Sequence, residues 1–195
     1  MILQTKDRII EVVIEYIKSN VDVTQISLSE IAKKAHIGKS TVYEYFKNKD
    51  QLICDTYLYM LNEYEKYLLK PIVSQSFKDA FYEQILSILN AMKDAKNLVE
   101  TIFSQQKHIN LMNEKVVDHK LKVIKDKMEE RFLEIFTLGA KEKVIDINVE
   151  YNTTRGYVIQ ALITGLLFQF INEQTNLDEK ALLDLIYKEV LNTFK

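Results

Sequence analysis

The chain has 195 residues, with 26 Lys+Arg against 28 Asp+Glu, a net charge of −2, one cysteine, one proline and four glycines. A single cysteine excludes an internal disulfide and a thiolate zinc site and fits a reducing cytoplasm, and so little proline and glycine favours long helices over strands. Charge does not announce a polyanion partner: residues 1–50 hold eight basic and seven acidic side chains, and residues 51–195 hold eighteen and twenty-one.

Taken in chain order, a first helix is predicted near 5–20, with Ile9, Ile10, Val13 and Ile17 on one side. The residues before it mix acidic and basic groups, which is not a signal-peptide pattern. Residues 27–52, SLSEIAKKAHIGKSTVYEYFKNKDQL, then read as two short helices joined by a tight turn, with a lysine-rich exit into a third helix. Ser27 followed by Glu30 fits a capping box, in which each side chain satisfies an unpaired backbone donor. Leu28, Ile31, Ala32 and Ala35 form a one-sided apolar stripe. Gly38 is the residue expected to make the turn, because it tolerates backbone angles that other residues avoid. Val42 and Phe46 face inward at helical spacing and leave Lys39, Ser40, Thr41, Tyr43, Glu44 and Tyr45 outside. That polar, aromatic set suits a surface pressed on phosphates and base edges. Two helices and a glycine turn also occur in domains that never touch nucleic acid, so spacing alone leaves both readings open.

The detailed string is more specific. IAKKAHIGKSTVYEYFKNKDQL, residues 31–52, resembles the N-terminal region of TetR-type repressors. There an IA-x-x-A-G-V stretch leads into S-x-x-T-[LIV]-Y-x-[YH]-F-x-[NS]-K-[ED]-x-L. The resemblance covers about residues 5–52; beyond it, only length and helical layout agree. It implies that Lys39, Ser40, Thr41, Tyr43, Glu44 and Tyr45 face DNA from a recognition helix. Ser27 and Ser29 map onto contacts at the start of the preceding helix, and Lys49 maps onto a phosphate anchor. A lysine beside a helix N-terminus adds its charge to free backbone donors, so elementary electrostatics agrees. Lys33, Lys34 and Lys47 read as solvated surface. The chain departs from the pattern twice. His36 and Gly38 stand where the family usually has Gly and Ser. Glu44 stands where a neutral or basic residue is common; it would repel phosphate there, but it can accept from a cytosine amino group.

A long helix follows over about 50–70, with Asp50 as its cap, Ile53, Tyr57, Met60, Leu61, Tyr64 and Leu68 on one side, and a stop before Pro71. Further helices are predicted near 77–92, 96–106 and 111–138, the last ended by Gly139, and then near 151–173 and 178–194. Residues 156–171, GYVIQALITGLLFQFI, are apolar almost all round but too short and too interrupted by Gln160, Thr164 and Gln169 to span a membrane. Such a helix must be buried on every side, and a second copy is the economical cover. Ala161, Thr164, Gly165 and Phe168, with Leu183, Ile186 and Val190 of the last helix, are the expected interface. TetR-type proteins dimerise through their last two helices, so the resemblance implies the same. It also implies an apolar effector pocket in the helical body, for which Tyr57, Tyr64, Phe81, Tyr82, Phe103, Met112, Met128, Phe132 and Phe136 are the candidates. Each of these, taken singly, is more often plain core than ligand wall.

No catalytic constellation is present. His36, His108 and His119 sit in no HExxH or ExxH spacing, and there is no glycine-rich phosphate loop or nucleophile elbow. No metal and no cofactor are expected. The expected architecture is all-α with about nine helices: a three-helix helix-turn-helix domain over 1–50 and a helical effector-binding and dimerisation domain over 51–195. The expected protein is a cytoplasmic homodimer that binds a palindromic double-stranded DNA operator and is released by a small apolar or aromatic effector. Two alternatives stand beside it: a DNA-binding dimer controlled by a protein partner or by no ligand, and a small-molecule-binding protein that keeps the motif as a remnant.

Overall fold

The computed structural model describes residues 4–19, 21–105, 114–146 and 154–194, without the side chains of 97–105 and 114–115. Its elements are α1 (Thr5–Lys18), α2 (Leu28–Lys34), α3 (Lys39–Tyr45), α4 (Lys49–Leu68), α5 (Phe77–Gln105), α6 (Glu114–Lys141), α7 (Thr154–Ile171) and α8 (Glu179–Thr193). The all-α expectation holds, with eight described helices in place of about nine. The two helices expected at 77–92 and 96–106 are one, because the intervening Lys93-Asp94-Ala95-Lys96 contains no Gly or Pro to break it. Met112, His108 and the side chain of Phe103 lie outside the described residues. No described helix is long and apolar enough to cross a membrane.

Contacts divide the chain into two units, Met1–Glu65 with Asp94–Val123, and Lys66–Lys93 with Ile124–Lys195. In the first, Ile9, Val13 and Ile17 of α1 meet Ile31 and Ala32 of α2, Val42 of α3, Phe46 just beyond it, and Leu52, Ile53 and Tyr57 of α4. Local chemistry sets the helix starts. The Ser27–Glu30 capping box forms, with the Glu30 N–H donating to Ser27 Oγ at 3.2 Å and the Ser27 N–H donating to Glu30 Oε2 at 2.7 Å. The cap of α4 is Asn48, not Asp50: Asn48 Oδ1 accepts from the Gln51 N–H at 2.8 Å, and Gln51 Oε1 accepts from the Lys47 N–H at 2.9 Å. Asp50 lies one residue inside the helix, where its charge complements the helix start.

The second unit is built round aromatic rings. Phe77 and Phe81 of α5, Phe136 of α6 and Tyr187 of α8 pack together, with the Phe77 ring 6.0, 5.9 and 5.7 Å from the other three in that order. Ile159, Ile163 and Leu167 of α7 and Leu182, Ile186 and Val190 of α8 complete the core. Gly139 does not end α6, which continues to Lys141; the left-handed residue is Lys143, at φ 60°. Gly139 makes room instead. A Cβ on it would lie 2.9 Å from Phe77 Cγ and 3.1 Å from Ile145 Cδ1, and Phe77 is held by the other rings. Gly139→Ala is therefore expected to lower stability by about 1–2 kcal/mol through overpacking, although Ala in a helix normally gains ~1 kcal/mol over Gly. A urea unfolding midpoint below that of the parent chain checks this; a higher midpoint would show that the Phe77 ring can move aside.

Candidate nucleic-acid interface

α3 is seven residues long and buries Val42 completely, as does Phe46 at its C-cap. With that side fixed, Lys39, Ser40, Tyr43, Glu44 and Tyr45 are exposed and Thr41 is half-buried. Tyr43 and Tyr45 keep 51% and 41% of their surface open, which is unusual for large rings in a small folded unit and leaves them available to a partner. Ser27 and Ser29 are exposed at the start of α2. The structure thus brings the residues singled out from sequence to the starts of α2 and α4 and the outer face of α3.

Lys49 opens α4, half-buried, with its Nζ donating to the Thr24 carbonyl at 2.5 Å. Desolvation lowers its pKa, and the carboxylates of Asp22, Asp50 and Glu30 act in the opposite sense. An ammonium has three donors, so the bond to Thr24 leaves two for another oxygen. Lys49 therefore ties the α1–α2 connection to the start of α4 while keeping donor capacity. Glu30, fully exposed, is held below the usual carboxylate range by the Ser27 backbone and hydroxyl bonds. Lys34 is engaged elsewhere, 3.1 Å from Glu15 and 4.1 Å above the Tyr16 ring, so it belongs to the α1–α2 packing.

The turn is not made at Gly38. Gly38 is the N-cap of α3, at φ −70° and ψ 147°, an extended conformation open to any residue, and it supplies no side-chain cap. The left-handed residue is His36, at φ 55°, where the family pattern has its glycine. A left-handed L-residue costs about 1–2 kcal/mol, although His accepts this region more readily than most.

Of the candidate effector residues, Tyr57 and Tyr64 belong to the first unit's core. The Tyr57 hydroxyl is buried without a partner among the described residues, and burial, with Asp22 nearby, pushes its pKa up to about 12. Burial also raises that of Tyr64. Phe81, Phe132 and Phe136 lie in the second unit's aromatic cluster, the Phe132 and Phe136 rings stacked 6.1 Å apart. Tyr82 donates to Asp184 Oδ1 at 2.5 Å. Beside Met128 lies Gln84, a buried polar side chain whose Nε2 donates to the Leu68 carbonyl at 3.1 Å. Gln84 was readable in sequence as a polar residue on the stripe Phe77, Phe81, Gln84, Ile85, but it was not among the candidates.

α7 divides the interface candidates. Ala161, Thr164 and Phe168 are exposed, Gly165 is half-buried with nothing within 4 Å of a Cβ built on it, and Tyr157, Val158 and Phe168 are 74%, 50% and 56% open. Leu183, Ile186 and Val190 face the other way, into the core of their own unit. The stripe of α8 that looked like a second interface is its intrachain side, because α8 must cover α7, α5 and α6 from within.

Residues 22–54 match the model of bacterial regulatory proteins of the tetR family. No curated relative matches the sequence. Among solved structures, a protein described as a TetR-family transcriptional regulator from Vibrio parahaemolyticus is 16% identical at a TM-score of 0.67, with 97% of this chain and 98% of that one covered. The fatty acid degradation regulator FadR from Bacillus halodurans is 13% identical at 0.63, covering 98% and 96%. The transcriptional regulator FadR from Bacillus subtilis, solved in complex with stearoyl-CoA, is 20% identical at 0.56, covering 96% of each. At such identities the likeness is one of fold, and it extends over almost the whole chain.

The turn variant gives a direct check on the local geometry. His36→Gly is expected to stabilise the full chain by about 0.5–1 kcal/mol, the relief of the left-handed backbone less the extra freedom of glycine in the unfolded state. A thermal melt that rises by a few degrees meets this expectation; one that falls means His36 makes a contact worth more than its strain.

The helix-turn-helix segment thus matches the tetR-family model over residues 22–54, and the fold of almost the whole chain is that of solved TetR-family regulators.

Proposed function

We propose that the chain is a homodimeric repressor that reads a palindromic operator with α3 in the major groove. The observation that carries this is the outer face of α3, where burial of Val42 and Phe46 leaves Lys39, Ser40, Tyr43, Glu44 and Tyr45 facing out together. In this reading Thr41 borders the same face, Ser27 and Ser29 approach the phosphates from α2, and Lys49 offers its two remaining donors to a phosphate oxygen. A second copy covers the exposed face of α7 along Tyr157, Ala161, Thr164, Gly165 and Phe168. Small residues in the middle of that face let the partner helix come close, and a two-fold axis places the two α3 helices on half-sites about one 10–10.5 bp turn, or a multiple, apart.

The effector reading attaches to the helical body. An apolar ligand beside Phe81, Phe132, Phe136 and Met128 would find Gln84 and Tyr82 as polar groups to orient it. The stearoyl-CoA bound to the Bacillus subtilis FadR makes a long acyl chain one effector class to try, by analogy of fold alone. A coupling of about 1–3 kcal/mol between effector and operator would suffice for release.

Selection of bound sequences from a random duplex pool tests the reading. Enrichment of a palindrome is expected, and Tyr43→Ala is expected to weaken binding to it at least about tenfold while the chain stays folded and dimeric. No enrichment by a folded dimer would turn the reading toward a binding protein with a remnant motif.

Phe168→Asp is expected to convert the dimer to monomer, read by sedimentation, and to lower operator affinity with it, because a carboxylate would be buried in an apolar interface. A dimer that survives this change would place the interface elsewhere.

A further inference from the structure

We propose that Glu44 is a base-reading residue, and that each operator half-site carries a C·G pair whose cytosine amino group meets its carboxylate. The proposal rests on the reading that α3 enters the major groove, and it names what that helix reads there. At about 100° per residue, Ser40 and Glu44 lie within about 20° of the direction opposite Val42. Val42 is fully buried, so these two residues sit at the crest of the outward face, and both are exposed. Tyr43 and Thr41 flank them.

Glu44 and Lys39 are the charged residues of α3. Among the described residues Glu44 has neither an ion pair nor a hydrogen bond, whereas Glu30 is held by Ser27 and Glu15 by Lys34. No group among the described residues neutralises it at the place where DNA would lie. A carboxylate is an acceptor only. In the major groove guanine offers N7 and O6, both acceptors, and thymine offers O4 and a methyl group. Adenine offers an amino group, but beside the N7 acceptor, a pair that suits an amide and not a carboxylate. Cytosine presents its amino donor without a neighbouring acceptor of its own. Over phosphate or the wrong base Glu44 is repelled; over cytosine it is satisfied. The residue thus lowers non-specific affinity and sharpens discrimination in the same step.

The test compares sequences selected from a random duplex pool by the parent chain, Glu44→Gln and Glu44→Ala, each full length. The parent is expected to enrich a palindrome with cytosine at one position of each half-site. Changing that C·G pair to T·A should weaken the parent by about 10- to 100-fold. Glu44→Gln should move the preference at that position to adenine, whose N6 and N7 an amide can bridge, and leave the other positions as they were. Glu44→Ala should lose the preference there and gain none. If all three proteins select the same palindrome and the variants only bind more tightly, Glu44 is a solvated charge and the proposal is overturned. If the parent enriches no palindrome at all, the DNA-reading function falls, and this proposal with it.

Discussion

A helix of seven residues cannot hold itself together in water, because nucleating the first turn fixes several residues for a single hydrogen bond. α3 exists because Val42 and Phe46 are sealed, at 0% exposure, in a core shared by α1, α2 and α4. The same two anchors fix the rotation of α3 about its axis. Once they are buried, Ser40 and Glu44 have no choice but to point outward, with the two tyrosines beside them. The functional face is in this sense a by-product of the core. A change that loosened Val42 would not merely destabilise the unit; it would also release the rotation of α3 that sets its outward face.

Electrostatics lends little to the proposed binding of DNA. The first fifty residues carry nearly balanced charge, several of their lysines are engaged within the fold, and one of the two charges on α3 is negative. Lys6 is paired with Asp55, Lys34 with Glu15, and Lys49 is tied to Thr24. For the proposed function this means few counterions released on contact with DNA, hence weak non-specific binding and a shallow salt dependence. The proposed function then rests on geometry, with the contacts doubled through the proposed two-fold axis. The open face of α7 offers the means. Ile159, Ile163 and Leu167 are buried on one side while Tyr157, Val158 and Phe168 remain exposed on the other, more apolar surface than a lone chain keeps without reason.

Much of this was legible in the sequence, and the parts that were not have specific causes. The Ser27–Glu30 capping box, the inward Val42 and Phe46 and the outward set on α3 follow from spacing over a few residues, and all are found. A break is expected between 92 and 96, but Lys93-Asp94-Ala95-Lys96 holds no Gly or Pro, and α5 runs through it. Gly139 was read as a helix stop by residue type; only tertiary contact shows that it clears space for Phe77. Asp50 is the cap expected from residue type, and the bond from the Gln51 N–H to Asn48 Oδ1 gives that place to Asn48 instead. For α8, periodicity identified Leu183, Ile186 and Val190 as one apolar stripe, but a stripe does not say whether it meets its own chain or another. Burial within the chain answers that for α8 and leaves α7 as the face still open.

The turn between α2 and α3 joins these threads. Relative to the family pattern, glycine and the capping side chain are both displaced: His36 takes the left-handed position, and Gly38 takes the cap, where its carbonyl accepts from the Thr41 N–H at 3.1 Å but no side-chain oxygen is available. Each change makes the start of α3 less favourable on its own, the first through backbone strain and the second through an unsatisfied donor. Local preference and the required structure thus disagree at the turn into α3, and conflicts of that kind tend to collect at functional sites. The uncapped donors at the start of α3 lie beside Lys39 and Ser40, on the side open to solvent. α3 is thus held in place by its two buried anchors, Val42 and Phe46, and not by a side-chain cap of its own.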